Sequence, residues 1–179
     1  MNASVNSPFR GVGGRGNIFI IGFMGSGKSY WGKLWAAESG LQFFDLDGLI
    51  EDEEQKTVAE IFEQNGETYF RQRETAVLKT FAEKTNCIVA CGGGTPCFND
   101  NMQWMNDNGI TVYLAATPSD IFKRVITEQA KRPLIKDFSP DELLHFIENK
   151  LKERAPVYTT AKIILPVSGI TTDTINTIK

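Results

Sequence analysis

Cysteine and histidine are scarce in this sequence of 179 residues. There are three cysteines, Cys87, Cys91 and Cys97, and one histidine, His145. An odd number of cysteines in one short segment is typical of reduced thiols rather than of a disulfide framework. A zinc site is disfavoured as well, because neither cysteine spacing is C-x₂-C and the histidine is distant in sequence.

Long apolar runs and an excess of positive charge are also missing. No run approaches the roughly 20 apolar residues that a membrane-spanning helix needs, and the N-terminus has no signal-type apolar stretch. We therefore expect a cytoplasmic protein with no membrane partner. The formal net charge of −3 disfavours a general nucleic-acid binder. The length and the hydrophobic content of 41% suit one globular α/β domain.

One stretch of the chain predicts a phosphate site. The residues from Gly22 to Ser29 are Gly-Phe-Met-Gly-Ser-Gly-Lys-Ser, which fits the phosphate-loop pattern G-x-x-x-x-G-K-[ST]. An apolar run, Ile18 to Ile21, precedes the loop and a helical pattern follows it, as the motif requires. The glycines let backbone N–H groups surround phosphate oxygens. Lys28 would reach the β- and γ-phosphates of a nucleotide, and the Ser29 hydroxyl would bind Mg²⁺.

The first residues contain a second glycine pattern that we reject. Gly11, Gly13 and Gly16 fit the dinucleotide-binding pattern G-x-G-x-x-G. No strand precedes these glycines, however, and a strand rather than a helix follows them. Residues 1–16 have no periodic apolar pattern, so we expect a leader that is disordered or foreign to the natural protein. Residues 17–179 would then form a single domain.

Beyond the leader, the hydrophobic pattern alternates strands with helices. Residues 28–39 predict a helix, and a helical pattern that begins at Thr57 breaks at Asn65-Gly66 and then resumes. A closing helix is predicted over residues 140–153, followed by a strand over 162–167 and the start of a last helix. This alternation predicts a parallel sheet of about five strands with helices on both faces.

Two carboxylates are predicted beside the phosphate loop. Residues 41–47 predict a short strand that ends in Asp45 and Asp47. Alternation places the two side chains on one side of the strand, at the carboxyl end where open α/β sheets bind ligands. Since Asp often begins a helix, a capping or solvent-exposed pair is the alternative.

Three consecutive glycines follow the predicted strand that begins at Cys87. Gly92, Gly93 and Gly94 have no side chains to pack, so their expected use is a close approach of the backbone to a ligand. A flexible turn is the alternative.

Arg71 and Glu74 are i,i+3 neighbours on a predicted helix, and such a pair is most often a surface salt bridge.

Two further arginines are candidates for anion binding. The polar segment over residues 129–139 could be a mobile lid that brings Arg132 over a transferring phosphoryl group, or a solvated basic loop. Arg154 follows Leu151 by three residues, on or near the apolar face of the closing helix. An inward arginine needs an anion or an acceptor, because an unpaired buried charge is costly.

Together these motifs resemble shikimate kinase, a family with the nucleoside-monophosphate-kinase-like P-loop fold. The resemblance covers about residues 17 to 179 and follows the order of the family. Its motifs are Gly22–Ser29, Asp45-Leu46-Asp47, Phe70-Arg71-Gln72-Arg73-Glu74, Gly92-Gly93-Gly94, Arg132-Pro133-Leu134 and Arg154-Ala155-Pro156-Val157-Tyr158.

The resemblance implies transfer of the γ-phosphoryl group of ATP to the 3-hydroxyl of shikimate, in chorismate and aromatic amino-acid biosynthesis. It implies a three-layer P-loop kinase that is monomeric, uses Mg²⁺ and has no nucleic-acid partner. The substrate-binding helices would cover about residues 45–82, and the lid about residues 129–139.

The resemblance also implies a role for each matching residue. The implied catalytic residues are Lys28, Asp47 and Arg132. The implied ATP-binding residues are Gly25, Ser26, Gly27, Lys28, Ser29, Tyr30, Arg124 and Arg132, with Arg124 against the adenine. The implied shikimate-binding residues are Asp47 for the ring hydroxyls, Arg71 and Arg154 for the carboxylate, Gly92, Gly93, Gly94, Phe62 and Phe70. Ser29 and Asp45 would bind the metal, Ser29 directly and Asp45 through a water molecule.

Two alternatives remain open at this point. Another small-molecule kinase of the same fold, such as gluconate kinase, would share the phosphate loop and the lid. A nucleotide-dependent switch would use the loop to order an interaction surface. The set of Asp47, Arg71 and Arg154 favours shikimate kinase over both, because a switch gives no reason for an inward Arg154.

Overall fold

The computed structural model describes residues 16–131 and 135–178. The predicted leader up to residue 15 and the lid arginine, Arg132, lie outside the described residues. Within the described residues the strands are β1 (Ile18–Ile21), β2 (Gln42–Asp45), β3 (Cys87–Ala90), β4 (Ile110–Ala115) and β5 (Ile163–Pro166). The α-helices are α1 (Lys28–Ser39), α2 (Leu46–Glu54), α3 (Val58–Lys79), α4 (Asn101–Asn108), α5 (Pro118–Val125) and α6 (Pro140–Tyr158).

The strands form one parallel sheet in the order β2-β3-β1-β4-β5. Side chains from both faces of β1 are buried, with Phe19 and Ile21 in one apolar cluster and Ile18 and Ile20 in another. The first cluster includes residues of α2, α3 and α4, and the second includes Trp35 of α1. Helices therefore cover both faces of the sheet, which confirms the predicted α/β architecture and explains the uninterrupted apolar strands.

The sheet brings three predicted site segments to one edge. The phosphate loop follows β1, the three glycines follow β3, and Asp45 ends β2. These three strands are adjacent and parallel, so their carboxyl ends meet at the same edge. Ligands of open α/β sheets bind at this edge.

The predicted strand over residues 41–47 is wrong in its extent. The strand ends at Asp45, which has an extended backbone, and α2 begins at Leu46. Asp47 lies in the first turn of α2, where a carboxylate is favoured by the helix dipole. Strand alternation therefore does not bring Asp45 and Asp47 together; the transition from strand to helix does.

The other helices match the predictions with two differences. Helix α3 begins with the capping box of Thr57 and Glu60 and is kinked at the predicted break, where Gly66 has φ 80°. The closing helix α6 runs through Pro156 to Tyr158, so it is longer than predicted. The predicted last helix is a 3₁₀ helix over Thr172–Thr177. Among the helices of the described residues, none is both long and apolar enough to cross a membrane.

Candidate active site

Two adjoining cavities open at the carboxyl edge of the sheet. The first, which we call the loop cavity, has a volume of about 510 Å³ and lies over the phosphate loop. The second, the arginine cavity, has a volume of about 550 Å³ and lies among α2, α3, the glycine turn and α6. Both are lined by Met24, Asp47, Gly92 and Gly93, so the two cavities share a border.

The predicted nucleotide and substrate residues separate between the two cavities. The loop cavity is lined by Gly25, Gly27, Lys28, Ser29, Tyr30, Asp45 and Arg124. The arginine cavity is lined by Phe62, Phe70, Arg71, Gly94 and Arg154. The sequence reasoning therefore named two groups of residues that also lie apart in space, with Asp47 on the border.

The phosphate loop depends on glycine conformations. Gly25 and Gly27 have φ of 75° and 95°, a backbone conformation that residues with a side chain rarely adopt. Gly27 is also the N-cap of α1. The N-terminus of α1 thus faces the loop cavity, as an anion site requires. The Lys28 ammonium donates hydrogen bonds to the carbonyls of Gly22 and Phe23, both at 2.9 Å, and so lies across the loop.

Ser26 differs from the other loop residues. Its side chain is buried, and its Oγ has no hydrogen-bond partner in the described part of the chain. The Oγ lies 2.9 Å from where a Cβ on Gly22 would be. The buried Ser26 side chain is not among the residues that line the loop cavity, and its predicted contact with ATP stays a prediction.

Ser29 and Asp45 form a pair of oxygen groups in the loop cavity. The Ser29 hydroxyl donates a hydrogen bond of 2.6 Å to Asp45 Oδ2. A hydroxyl and a carboxylate beside a phosphate site are oxygen ligands of the kind that Mg²⁺ prefers, usually together with waters and phosphate oxygens. Residues 16–131 and 135–178 contain no group of three or more His, Cys, Asp or Glu side chains that could hold a metal.

Arg124 and Tyr30 lie at the mouth of the loop cavity. Arg124, near the end of α5, donates a hydrogen bond of 3.1 Å to the carbonyl of Gly25. The Tyr30 side chain is 63% exposed and packs edge-on against Trp31. Both are accessible to a nucleotide, and their predicted contacts with ATP remain predictions.

Asp47 has an unusual electrostatic environment. The pKa of its carboxyl is raised to about 6, chiefly by burial and also by the nearby negative charges of Glu74, Asp45 and Glu51, while the positive charge of Lys28 opposes the rise. Its Oδ1 lies 2.9 Å from where a Cβ on Gly92 would be, so a side chain at position 92 would displace the carboxylate. A carboxylate with a pKa near neutrality can accept a proton and release it again.

Arg71 is held in the arginine cavity from several sides. Its guanidinium bonds Glu74 at 2.8 Å, and Glu74 is fully buried. Glu74 also accepts a hydrogen bond of 2.5 Å from Thr95, so the carboxylate connects α3 to the segment after the glycine turn. The guanidinium lies 4.4 Å from the Phe98 ring centroid. The pair is therefore no ordinary surface salt bridge, because its carboxylate is buried and bonded twice.

The glycine turn approaches both arginines closely. A Cβ on Gly94 would lie 2.6 Å from Arg71 Nη2, and a Cβ on Gly93 would lie 3.3 Å from Arg154 Nη1. Arg154, on α6, also lies over the Phe23 ring at 5.6 Å. The glycines thus allow the backbone to approach the two arginine side chains closely, and the predicted approach to a ligand stays a prediction.

The apolar wall of the arginine cavity comes from both parts of α3. Phe62 precedes the kink at Gly66 and Phe70 follows it, and their ring centroids are 4.7 Å apart. Phe70 is almost fully buried, whereas Phe62 is half-buried and lines the cavity beside Val58. Both rings serve the core and the cavity at once.

Sequence reasoning missed several residues of the site. Glu74 was known only as the neighbour of Arg71, and its hydrogen bond with the distant Thr95 was not predicted. Glu51 lines the arginine cavity and accepts a hydrogen bond of 2.8 Å from the Val58 N–H. Its spacing of four residues from Asp47 on α2 was a usable signal, since such residues share a helix face. Tyr158 was named only as the end of the Arg154-Ala155-Pro156-Val157-Tyr158 motif, and its hydrogen bond to the glycine turn was not predicted.

Comparison with known proteins agrees with this arrangement. The family model described as shikimate kinase matches residues 24–177. A shikimate kinase from Phocaeicola vulgatus is 46% identical over 145 residues, which are 81% of this chain and 83% of that protein. The crystal structure of shikimate kinase from Bacteroides thetaiotaomicron has a TM-score of 0.85 and 38% identity, over 90% of this chain and 94% of that chain. Shikimate kinase from Acinetobacter baumannii, solved in complex with shikimate, has a TM-score of 0.79 and 30% identity, over 91% and 89% of the two chains.

Proposed function

The chain belongs to the shikimate kinase family, and we propose that it transfers the γ-phosphoryl group of ATP to the 3-hydroxyl of shikimate. The products are shikimate 3-phosphate and ADP, and the reaction serves chorismate and aromatic amino-acid biosynthesis. The observation that carries this proposal is the border between the cavities, where Asp47 adjoins both the phosphate loop and a cavity that contains two arginines.

The arginine cavity suits a small hydroxylated carboxylate. Arg71 and Arg154 would bind the carboxylate, since planar guanidinium groups pair well with carboxylate oxygens. Asp47 would accept hydrogen bonds from ring hydroxyls, and Phe62 and Phe70 would contact the faces of the ring. The half-buried and apolar surroundings strengthen each of these charge-assisted bonds.

Asp47 would also act as the base of the reaction. It would take the proton from the 3-hydroxyl while the hydroxyl oxygen forms a bond to the γ-phosphorus and the bond to the β-phosphate oxygen breaks. Lys28 would stabilise the negative charge of the phosphates, and ADP would leave with the former bridging oxygen. Arg132 keeps its predicted role as a further cation over the phosphoryl group.

The residues of the loop cavity fit a magnesium ion with ATP. The Ser29 hydroxyl would bind the ion directly and Asp45 would hold it through water, as the paired oxygens suggest. When bound, the ion would neutralise phosphate charge during transfer. The same protein groups would hold the nucleotide in line with the hydroxyl in the arginine cavity.

The experiment that tests this proposal is ADP release from Mg·ATP with different acceptors. Shikimate, gluconate, nucleoside monophosphates and no acceptor are offered in parallel, and the phosphorylated position is identified by ³¹P and ¹H NMR. We expect release that depends on shikimate alone, with phosphate on the 3-oxygen. Release with gluconate or a monophosphate would overturn the substrate, and release without any acceptor would favour the nucleotide-dependent switch.

The proposal extends to the state of the enzyme in the cell. We propose a monomer in the cytoplasm, as the sequence and the family resemblance predict. Light scattering of the purified chain, with and without both substrates, measures the molar mass. A mass near 19.9 kDa supports the monomer, and twice that mass contradicts it.

A further inference from the structure

Tyr158 is a buried polar residue that the proposed reaction does not use. It is the last residue of α6, and its side chain is fully buried. Its hydroxyl donates a hydrogen bond of 2.5 Å to the carbonyl of Gly93, 65 residues earlier in the chain. Its ring packs against the ring of Tyr113, with centroids 5.0 Å apart. The phenol therefore reaches from the end of a helix to the middle of the glycine turn.

This bond fixes one peptide group in the wall of the arginine cavity. The Gly93 carbonyl belongs to the peptide that joins Gly93 to Gly94, and a trans peptide is planar with its C=O and N–H in opposite directions. A carbonyl held by Tyr158 therefore directs the Gly94 N–H away from Tyr158. Without this bond the peptide group could rotate easily, because glycines lack the side chains that restrict the backbone.

The same phenol interacts with Arg154. The two residues are four apart on α6, so they lie on one helix face. Burial raises the pKa of the Tyr158 hydroxyl, whereas the charge of Arg154 and a hydrogen bond from its guanidinium oppose that rise. Tyr158 thus interacts with the arginine that lines the cavity and bonds the turn at Gly93, where an added Cβ would lie 3.3 Å from Arg154 Nη1.

We propose that Tyr158 is a positioning residue for substrate recognition, whose hydroxyl holds the Arg154 guanidinium and the Gly93 carbonyl in one arrangement. The inference rests on the proposed function, because it concerns how the same cavity binds the shikimate carboxylate. A preformed arrangement improves binding by removing the cost of ordering these groups when the substrate enters.

The test compares Tyr158→Phe with Tyr113→Phe. The first removes the hydroxyl that bonds Gly93, and the second removes a hydroxyl from the neighbouring ring, for which no hydrogen bond is known in the described residues. We expect Tyr158→Phe to raise the KM for shikimate about tenfold, with kcat and the KM for ATP changed less than about twofold. Tyr113→Phe should leave all three constants near the wild-type values.

Other outcomes overturn the inference. An unchanged KM for shikimate in Tyr158→Phe contradicts it, and so do equal rises in KM for both substrates with a lower melting temperature, since those indicate a structural role. The wild-type enzyme is measured first, and its failure to phosphorylate shikimate would overturn the proposed function. The ratio of the KM for shikimate in Tyr158→Phe to that in the wild type then tests the role of Tyr158.

A second comparison tests the link to Arg154. In an Arg154→Lys background the planar guanidinium is absent, so the Tyr158 hydroxyl no longer has a guanidinium to position. We expect the effect of Tyr158→Phe on the KM for shikimate to be smaller there than in the wild type. The same tenfold rise in both backgrounds would show that Tyr158 acts independently of Arg154 and would overturn the inference.

Discussion

The two cavities are built in different ways, although they share a border. The anion site of the loop cavity comes from one continuous stretch, in which glycines with positive φ and the N-terminus of α1 supply the donors. The arginine cavity is formed by side chains from elements that are distant in sequence. Its arginines are held by other side chains, as Glu74 holds Arg71. A contiguous backbone site thus depends on conformation, whereas an assembled site depends on contacts.

This difference predicts how substitutions will act. Changes in the arginine cavity should affect shikimate and leave ATP binding intact, because the loop cavity has its own backbone donors. Asp47 should behave differently from either group, since it lies on the border and lines both cavities.

The largest effect is expected for Asp47→Asn. An amide cannot accept the proton of the attacking hydroxyl, so kcat should fall by about 10²- to 10⁴-fold. Steady-state kinetics with both substrates measure this loss. The matched control is Asp52→Asn, which changes an exposed carboxylate on the same helix. An Asp47→Asn enzyme with the wild-type kcat would remove Asp47 from the reaction.

The next largest effect is expected for Arg154→Ala. Loss of a charge-assisted bond to the substrate carboxylate costs about 1.5–3 kcal/mol, which corresponds to a rise of roughly 10- to 100-fold in the KM for shikimate. The KM for ATP should stay near the wild-type value, because Arg154 lines only the arginine cavity. If both KM values rise together, the division between the cavities is wrong.

Arg71→Ala should raise the KM for shikimate by a similar factor, but it should also lower stability. The substitution leaves the buried carboxylate of Glu74 without its cation, and such losses are strongly destabilising. Arg73→Ala is the control on the same helix, since Arg73 pairs with Glu53 and Glu54 instead. Thermal melting should separate the two variants, and equal melting temperatures would contradict the buried pairing.

The loop cavity could be predicted from the sequence better than the arginine cavity, because its anion site is contiguous and the arginine cavity is assembled from distant elements. The phosphate loop is a local pattern, so its residues and its place after β1 could be predicted without a structure. The break at Asn65-Gly66 and the start of the helical pattern at Thr57 are local signals as well, and both predictions are confirmed. By contrast, the bond between Glu74 and Thr95 joins residues 21 apart, and no local pattern indicates it.

The aspartates show where local reasoning reaches a limit. Asp45 and Asp47 were expected near each other on one strand, and both line the loop cavity. The reason was wrong, because the chain changes from strand to helix between them. Helix and strand patterns cannot be told apart reliably in so short a segment, since the deciding contacts are tertiary.

A smaller effect is expected for Gly94→Ala. The added methyl group would lie 2.6 Å from Arg71 Nη2, so the guanidinium must move out of place. The backbone of Gly94 has an ordinary negative φ, so the effect should come from crowding alone. We expect a rise of about tenfold in the KM for shikimate. Gly169→Ala is the control, because nothing lies within 4 Å of its added methyl group.

The smallest effect is expected at the border, in the pH dependence of kcat/KM for shikimate. Asp47 must be ionised to accept a proton, so activity should fall as the pH drops through about 6, the value to which its pKa is raised. Glu51 contributes a negative charge that raises this pKa. Glu51→Gln removes that charge but keeps a carbonyl that can accept the bond from the Val58 N–H.

The acid limb of the Glu51→Gln profile should therefore move to lower pH, because loss of a nearby negative charge makes the Asp47 carboxylate easier to form. The displacement should be less than about 1 pH unit, since burial is the larger cause of the raised pKa. Glu53→Gln serves as the control, as Glu53 pairs with Arg73 outside both cavities. A limb that moves to higher pH, or moves equally in the control, would show that another group governs the profile.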